Sequence, residues 1–312
     1  VVVEMYRRHD DFAVRTAGLP GIGILGAAFG DVVVMDGPSA QPADAFDWFS
    51  ALWHEVAHVY TLNATNNRIS RWFSEGISMM EEWRHGPSAR ESVSLTFLQA
   101  YSEGKLLPVA ELENGFLRPR YAGQIEVSYV QSGLLCLMIA ERWPVGIVKM
   151  LAAYRDGAAT ADAFRQGLGV EPTDLDTEFS RWLQLRYASF AGEGDFERYI
   201  NLRQDTQKAL GDTNWARAME LARASVESYA NFVGDGSPWL ELALAAGKLG
   251  QIDEARDALL AYWRKGGRNT AALDELSSLL DPDAVELSEV LGQLAHLEPL
   301  QASRHERLAV HL

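Results

Sequence analysis

The stretch "FSALWHEVAHVYTLNATNNRISRWFSEGISMMEEW", Phe49 to Trp83, decides how this chain is read. It holds two helical patterns around a polar segment. In "ADAFDWFSALWHEVAHVYTL" apolar residues recur at three- and four-residue spacing, which predicts a helix. "SRWFSEGISMMEEW" predicts a second, with Ser70 as its N-cap. "TLNATNNRI" between them is rich in turn-forming residues, so the helices are expected to fold back antiparallel. His54 and His58 are four residues apart, so both imidazoles leave one helix face a turn apart. Phe49, Leu52, Trp53, Val56, Ala57 and Val59 already supply the apolar faces, and packing needs neither histidine. Two imidazoles at this spacing suit two Zn–N bonds of about 2.0–2.1 Å to one ion. Catalytic zinc keeps three protein ligands and an open position. The third is expected at Glu75, facing the histidines from the next helix. Glu81, Glu82 and His85 compete for that role, but "MMEEW" reads as a solvated helix end. Glu55 lies about 100° around the helix from His54. It is the expected general base, taking a proton from zinc-bound water whose pKa zinc brings to near 7. The chemistry implied is attack on a carbonyl, usually an amide.

Outward from this stretch, "VVVEMY" and "GIGILGAAFGDVVVMDGP" predict short strands separated by glycine turns. Further helices are expected in "VSYVQSGLLCLMIAERW", closed by Pro144, in "GIVKMLAAYRDG" and in "DLDTEFSRWLQLRYASF". The expected fold class is α+β: a mostly helical first domain over residues 1–192, then an all-α second domain over residues 193–312. "GEGDFE", Gly192 to Glu197, reads as the linker. Beyond it the sequence repeats itself. "LGDTNWARAMELA" and "LGQIDEARDALLA" pair Gly211 with Gly250 and Ala216 with Ala255, an offset of 39. That half resembles a tetratricopeptide solenoid, whose period is about 34 residues. "VLGQLAHLEPLQASRHERLAVHL" reads as the end of another repeat and the first helix of the next, so more repeats are expected to follow.

The 312 residues carry a formal net charge of -15, from 28 basic against 43 acidic residues. A chain this acidic lacks the basic footprint that nucleic acid or an anionic membrane surface requires, so neither is an expected partner. The longest apolar run, "GLLCLMIA", falls far short of the roughly 18 residues that span a bilayer. Cys136, the single cysteine, sits inside that run and is expected to be a small core residue. The chain starts at "VVVEMY" without a methionine, so the N-terminus looks truncated. That fits a removed signal peptide and an exported bacterial protein, periplasmic or extracellular, while the sequence leaves the compartment open.

"HEVAH" with the downstream "SEG" resembles the gluzincin metallopeptidases, the thermolysin and aminopeptidase-N group. "RWFSEGIS" is similar to the segment that carries the third ligand in bacterial peptidase MA-like proteins, many of which also carry tetratricopeptide repeats. The resemblance covers roughly Val1 to Phe190. It implies a zincin-like domain, a Zn²⁺ cofactor held by His54, His58 and Glu75, and a peptide or protein substrate. It also carries over Tyr129: "SYVQSGLLCLMI" is similar to an aminopeptidase segment whose tyrosine stabilises the oxyanion of the tetrahedral intermediate. Gln131 and Ser132 replace the usual charged residue and small partner there. The aminopeptidase loop Gly-x-Met-Glu-Asn has no counterpart in "GIGILGAAFGDVVVMDGP", where Asp31 and Asp36 are the nearby carboxylates. An endopeptidase is therefore expected, with "GDVVVMD" as an edge strand above the zinc able to pair with an extended peptide. Thermolysin places an orienting Asp four residues after the ligand Glu, and here that position is Met79. The repeats are expected to recruit a protein partner or substrate. Two other functions share these residues: a repeat scaffold whose peptidase-like domain has little or no activity, and a zinc hydrolase of a non-peptide ester or amide.

Overall fold

Val2–Tyr6 (β1), Gly26–Phe29 (β2) and Val32–Asp36 (β3) form a three-stranded sheet in the order β1-β3-β2. They belong to a computed structural model that describes residues 1–21, 23–42, 46–85 and 93–311. β2 and β3 make an antiparallel hairpin with Phe29 opposite Val32. Its turn passes through Gly30 at φ 59, the left-handed region where glycine carries no steric cost. β1 runs parallel to β3, with Val3 opposite Val33, so the chain must cross over between them. The crossover contains a helix that the sequence did not announce, α1 (His9–Ala17). Only Phe12 and Ala13 of it are buried, too few to make an amphipathic pattern. "GDVVVMD" is not the expected edge strand: β3 is the central strand. Its successive residues Val33, Val34, Met35 and Asp36 are all buried, which suits a strand covered on both faces rather than an edge. The edge on the helical side is β2. The strand reading around Gly21–Gly23 includes Ile22, which lies outside the described residues.

α2 (Trp48–Ala64) starts where Asp47 accepts hydrogen bonds from the amides of Phe49 and Ser50, both 3.2 Å. Ala43–Ala45, the expected start of this pattern, lie outside the described residues. The helix ends at Thr65, and Asn66 and Asn67, at φ 52 and 59, reverse the chain. α3 (Arg71–His85) then returns against α2, the expected hairpin. Ser70 does not cap α3 with its side chain. Its hydroxyl donates to Tyr154 at 2.9 Å, and the Glu113 carboxylate accepts from the amides of Arg71 and Trp72. An acid held at a helix start by tertiary packing does the work a local N-cap would do.

α4 (Leu95–Ser102) and α5 (Leu112–Leu117), which supplies Glu113, lead into α6 (Gln124–Arg142). α3 and α6 approach through glycine. A Cβ on Gly76 would sit 2.7 Å from the Ser132 carbonyl oxygen, and one on Gly133 would sit 2.8 Å from the Met79 Cβ. The glycine of "SEG" therefore sets how deeply Glu75 is seated. Cys136 is wholly buried in this interface, and burial pushes its thiol pKa up, as a core residue's would be. α7 (Gly146–Arg155), α8 (Thr160–Leu168) and α9 (Pro172–Arg186) close the core around Trp72, Phe73, Phe97, Leu134 and Phe164.

Seven further helices follow: α10 (Asp195–Gly211), α11 (Trp215–Ser228), α12 (Pro238–Lys248), α13 (Ile252–Arg264), α14 (Thr270–Leu279), α15 (Val285–Leu297) and α16 (Ala302–His311). Each packs mainly on its neighbours in the chain, over a second core rich in alanine and leucine. The internal register differs from the sequence pairing. Thr213 and Gly250 are the left-handed residues, at φ 55 and 74, and the amides of Asn214 and Gln251 make the same 2.9 Å bond to the carbonyls of Ala209 and Ala246. The equivalent positions are thus 37 apart and match Ala218, not the exposed Ala216, with Ala255. The Leu-Gly dipeptide misled because helix α10 runs through Gly211 before it turns. On either side of Gly192–Glu197 aromatic rings meet, with the Phe190 ring 5.4 Å from Tyr199 and 5.0 Å from Tyr229. The Trp48 indole donates to the His296 carbonyl at 3.0 Å, tying the start of α2 to α15. Among the described residues no helix is long and apolar enough to cross a membrane.

Candidate metal centre

From successive turns of α2, His54 and His58 aim their Nε2 atoms at one oxygen of Glu75, at 3.4 and 3.2 Å. One ligand atom from each of the three residues lies within 4.8 Å of the others. Each ring is held from behind. His54 Nδ1 meets the Glu82 carboxylate at 3.1 Å, and His58 Nδ1 meets the Ser74 hydroxyl at 2.8 Å. Ser74 is in turn 3.2 Å from the Thr61 hydroxyl, which reaches back to the His58 carbonyl. Partners on Nδ1 fix ring orientation and leave Nε2 as the free donor, the usual arrangement behind metal-binding histidines. The fit to zinc follows from simple geometry. Four bonds of about 2.0–2.1 Å in a tetrahedron place ligand atoms roughly 3.3 Å apart, the spacing found here between each histidine and Glu75. Two imidazoles and one carboxylate also suit a borderline-soft divalent ion.

Charge supports the same reading. Burial works against a charged imidazole at His54, but hydrogen bonds to Glu75 and Glu82 outweigh it and push its pKa up to about 10. Burial likewise opposes the Glu75 carboxylate, yet hydrogen bonds from His54 and His58 hold its pKa well below the usual carboxylate range. The other Glu75 oxygen accepts from Arg71 Nε at 3.3 Å. The pocket between α2 and α3 therefore stabilises an ionised carboxylate beside positive charge, and a divalent cation meets that same requirement.

Glu55 is buried next to the cluster but outside it. Burial raises its pKa, while the neighbouring His54 and His58 pull it down. A carboxylate displaced upward is a stronger base near neutral pH. β2 passes directly over it. A Cβ on Gly26 would lie 2.6 Å from Glu55 Cγ, so glycine is what lets the edge strand and the acid share this space.

Tyr129, from α6, stands beside the cluster. It packs edge-on against Phe116, with ring centroids 5.1 Å apart, and its phenol interacts with Arg71 and Glu75. Burial raises its pKa, so it remains a protonated donor at neutral pH. Its neighbours on α6 serve packing. Gln131 pins the backbone of Leu107 through two hydrogen bonds, and Ser132 is fully buried. The other residues the sequence put forward lie apart from the cluster. His85 stacks on Trp53 and pairs with Glu81, Asp31 accepts from Asn63, and Asp36 is buried with His9 and Gln41. Met79 packs against Gly133. The orienting acid is Glu82, two helical turns after Glu75 rather than one.

A family model described as the Peptidase MA superfamily matches residues 26–185. The chain belongs to the Peptidase MA superfamily. The match runs from β2 to the last turn of α9, so it includes His54, Glu55, His58, Glu75 and Tyr129 and stops before α10. Membership implies a peptidase and hence a peptide or protein substrate, and peptidases of this superfamily are typically metal-dependent. Comparison with curated proteins and with solved structures finds no match.

Around this cluster sequence reasoning missed Ser74, Arg71 and Gly26, and it weighed Glu82 as a third ligand rather than as the partner of His54 Nδ1. Two of the four, Arg71 and Glu82, were legible as helix periodicity. Arg71 is four residues before Glu75 and Glu82 seven after it, which places all three on one face, and Ser74 is Glu75's immediate neighbour. Gly26 could not be found that way, because its contact with Glu55 exists only once the sheet is docked.

Proposed function

We propose that this chain is a zinc-dependent endopeptidase of the gluzincin type. The observation that carries the reading is the convergence of His54, His58 and Glu75 on one point, with both Nδ1 atoms already engaged. When bound, zinc supplies a Lewis acid that brings water deprotonation into the neutral pH range. Glu55 takes the proton from the attacking water and delivers it to the leaving amine. Tyr129 donates its hydroxyl to the carbonyl oxygen as negative charge develops there. Glu82 and Ser74 hold the imidazoles in the required rotation, and Arg71 holds Glu75 and the Tyr129 phenol. Among the described residues β2 pairs with β3 alone, so its outer edge can add an extended peptide as a further strand next to Glu55.

Residues 1–192 form the catalytic portion in this reading, and residues 193–312 are a tetratricopeptide-like array that recruits a protein partner or substrate. The acidic balance favours a neutral or basic partner. The deciding test is Glu55→Gln. The variant is expected to bind one zinc per chain, as the wild type does, and to lose peptide hydrolysis by a factor of about 10²–10⁴, because an amide accepts no proton from water. Cleavage at the wild-type rate would remove Glu55 from the mechanism. Wild-type protein that takes up no zinc would remove the metal.

A further inference from the structure

A cavity of about 660 Å³ opens beside Tyr129. Its walls are mainly apolar: Met79, Val93, Ile125, Val130, Phe232 and Val233. Two of its residues tie it to the metal centre. Tyr129 lines it and also interacts with Glu75, and Met79 is one turn beyond Glu75 on α3. The opposite wall comes from the far end of the chain. Asn231–Asp235 is the connection between α11 and α12, beyond the 26–185 segment that the family covers.

That wall is held in place. Arg203 of α10 lies 4.7 Å over the Phe232 ring and donates to the Gly236 carbonyl at 2.7 Å. Lys265 donates to Asn231 at 2.8 Å, and the Ser237 hydroxyl donates to the Phe232 carbonyl at 2.9 Å. At the exposed side stand Glu126 and Asp235, whose carboxylates pair with nothing among the described residues. An apolar interior rimmed by two unpaired carboxylates favours a large uncharged side chain and repels an acidic one.

We infer that this cavity is the specificity pocket of the peptidase, taking a large apolar or aromatic side chain next to the cleaved bond. The α11–α12 connection makes the C-terminal helices part of the substrate site as well as a recruitment surface. The inference rests on the peptidase reading proposed above, and its test is separable from that reading because it measures binding as well as cleavage.

The full-length Glu55→Gln chain is titrated with fluorescein-labelled Gly-Ala-Ala-Phe-Ala-Ala and with the same peptide carrying Ala or Glu in place of Phe. The Phe peptide is expected to bind about 10- to 100-fold more tightly than the Ala peptide, the value of burying one such side chain, and the Glu peptide most weakly. Ile125→Glu, at a half-exposed position, places a charge in the cavity, and Val233→Trp fills it. Each is expected to erase most of the Phe-over-Ala preference while leaving the zinc content unchanged. A melting curve shows whether either variant has lost its fold, and the preference is read from the one that keeps it. Equal binding of the Phe and Ala peptides overturns the inference, as does a preference that survives both substitutions. An absence of cleavage by wild-type protein, with the binding preference intact, overturns the peptidase reading and leaves the pocket standing.

Discussion

Glu75 on α3 and Glu241 on α12 are both buried glutamates in helix pairs, and their pKa values move in opposite directions. Burial raises the pKa of each carboxylate. At Glu75 the hydrogen bonds from His54 and His58 reverse that and hold the group ionised. At Glu241 burial prevails over a hydrogen bond from Gln207 and the charge of Arg203, and the pKa is pushed up to about 7. Among the described residues one Glu241 oxygen, Oε2, accepts no hydrogen bond. Desolvation is the common cost, and what differs is whether the facing helix supplies positive charge at hydrogen-bond distance. The α2–α3 pair buries imidazoles and carboxylates between its helices, whereas the α12–α13 pair buries Ala245, Ala246, Ala255 and Leu259. Helix hairpins of similar shape can thus enclose a charged cluster or an apolar core. The polar interior is tolerated only because nearly every charge in it is matched.

Four substitutions probe this contrast, first three at the metal centre in decreasing order of expected effect and then one at Glu241. Tyr129→Phe leaves the charge balance at Glu75 almost unchanged but removes an oxyanion donor. Turnover is expected to fall by roughly 10²–10³ with zinc retained, and steady-state kinetics with metal analysis checks both. A fall in zinc content of similar size would instead make Tyr129 a support for Glu75. Gly26→Ala puts a methyl group where Glu55 Cγ lies, so the base must move. A displacement near 1 Å is expected to lower kcat by about 10²-fold without loss of metal, and unchanged kcat would mean that β2 yields instead.

Glu82→Gln keeps a hydrogen-bond acceptor for His54 but removes the charge. Zinc affinity is expected to drop about 10- to 100-fold in a competition titration against a chelator, the usual scale for losing a partner behind a metal-binding histidine. Affinity equal to wild type would show that Glu82 orients nothing. Glu241→Gln addresses the unmatched acid. A carboxyl whose folded pKa is raised contributes stability that is complete below its unfolded value of 4.5 and disappears as pH rises through about 7. Over that window the wild type is expected to lose up to about 3 kcal/mol relative to Glu241→Gln. Urea midpoints measured at pH 4.5 and 7.5 would show it, and parallel pH profiles for the two proteins would exclude it.

Local spacing determined a good deal of this protein. A four-residue interval on a helix puts His54 and His58 on one face whatever surrounds them, and a turn rich in asparagine predicts that the next helix returns with Glu75. Both statements depend on backbone geometry over a few turns, which sequence carries. The strands near the N-terminus and the helical character of the rest were legible for the same reason. Sheet order was not, since a run such as "VVVMD" fits an edge or a centre until β1 is seen on its far side. Ser70 carried a cap signature, yet its hydroxyl went to Tyr154 and Glu113 took the helix start, because packing brought a stronger acceptor to those amides. Glu82 was read as solvated from its charged neighbour and became the partner of His54, since helix α3 continues along α2 for two more turns. Gly26 against Glu55, and the lining of one cavity by both Phe232 and Tyr129, bring together residues that are far apart in the chain. Such contacts depend on how finished elements dock, and only the tertiary structure decided them.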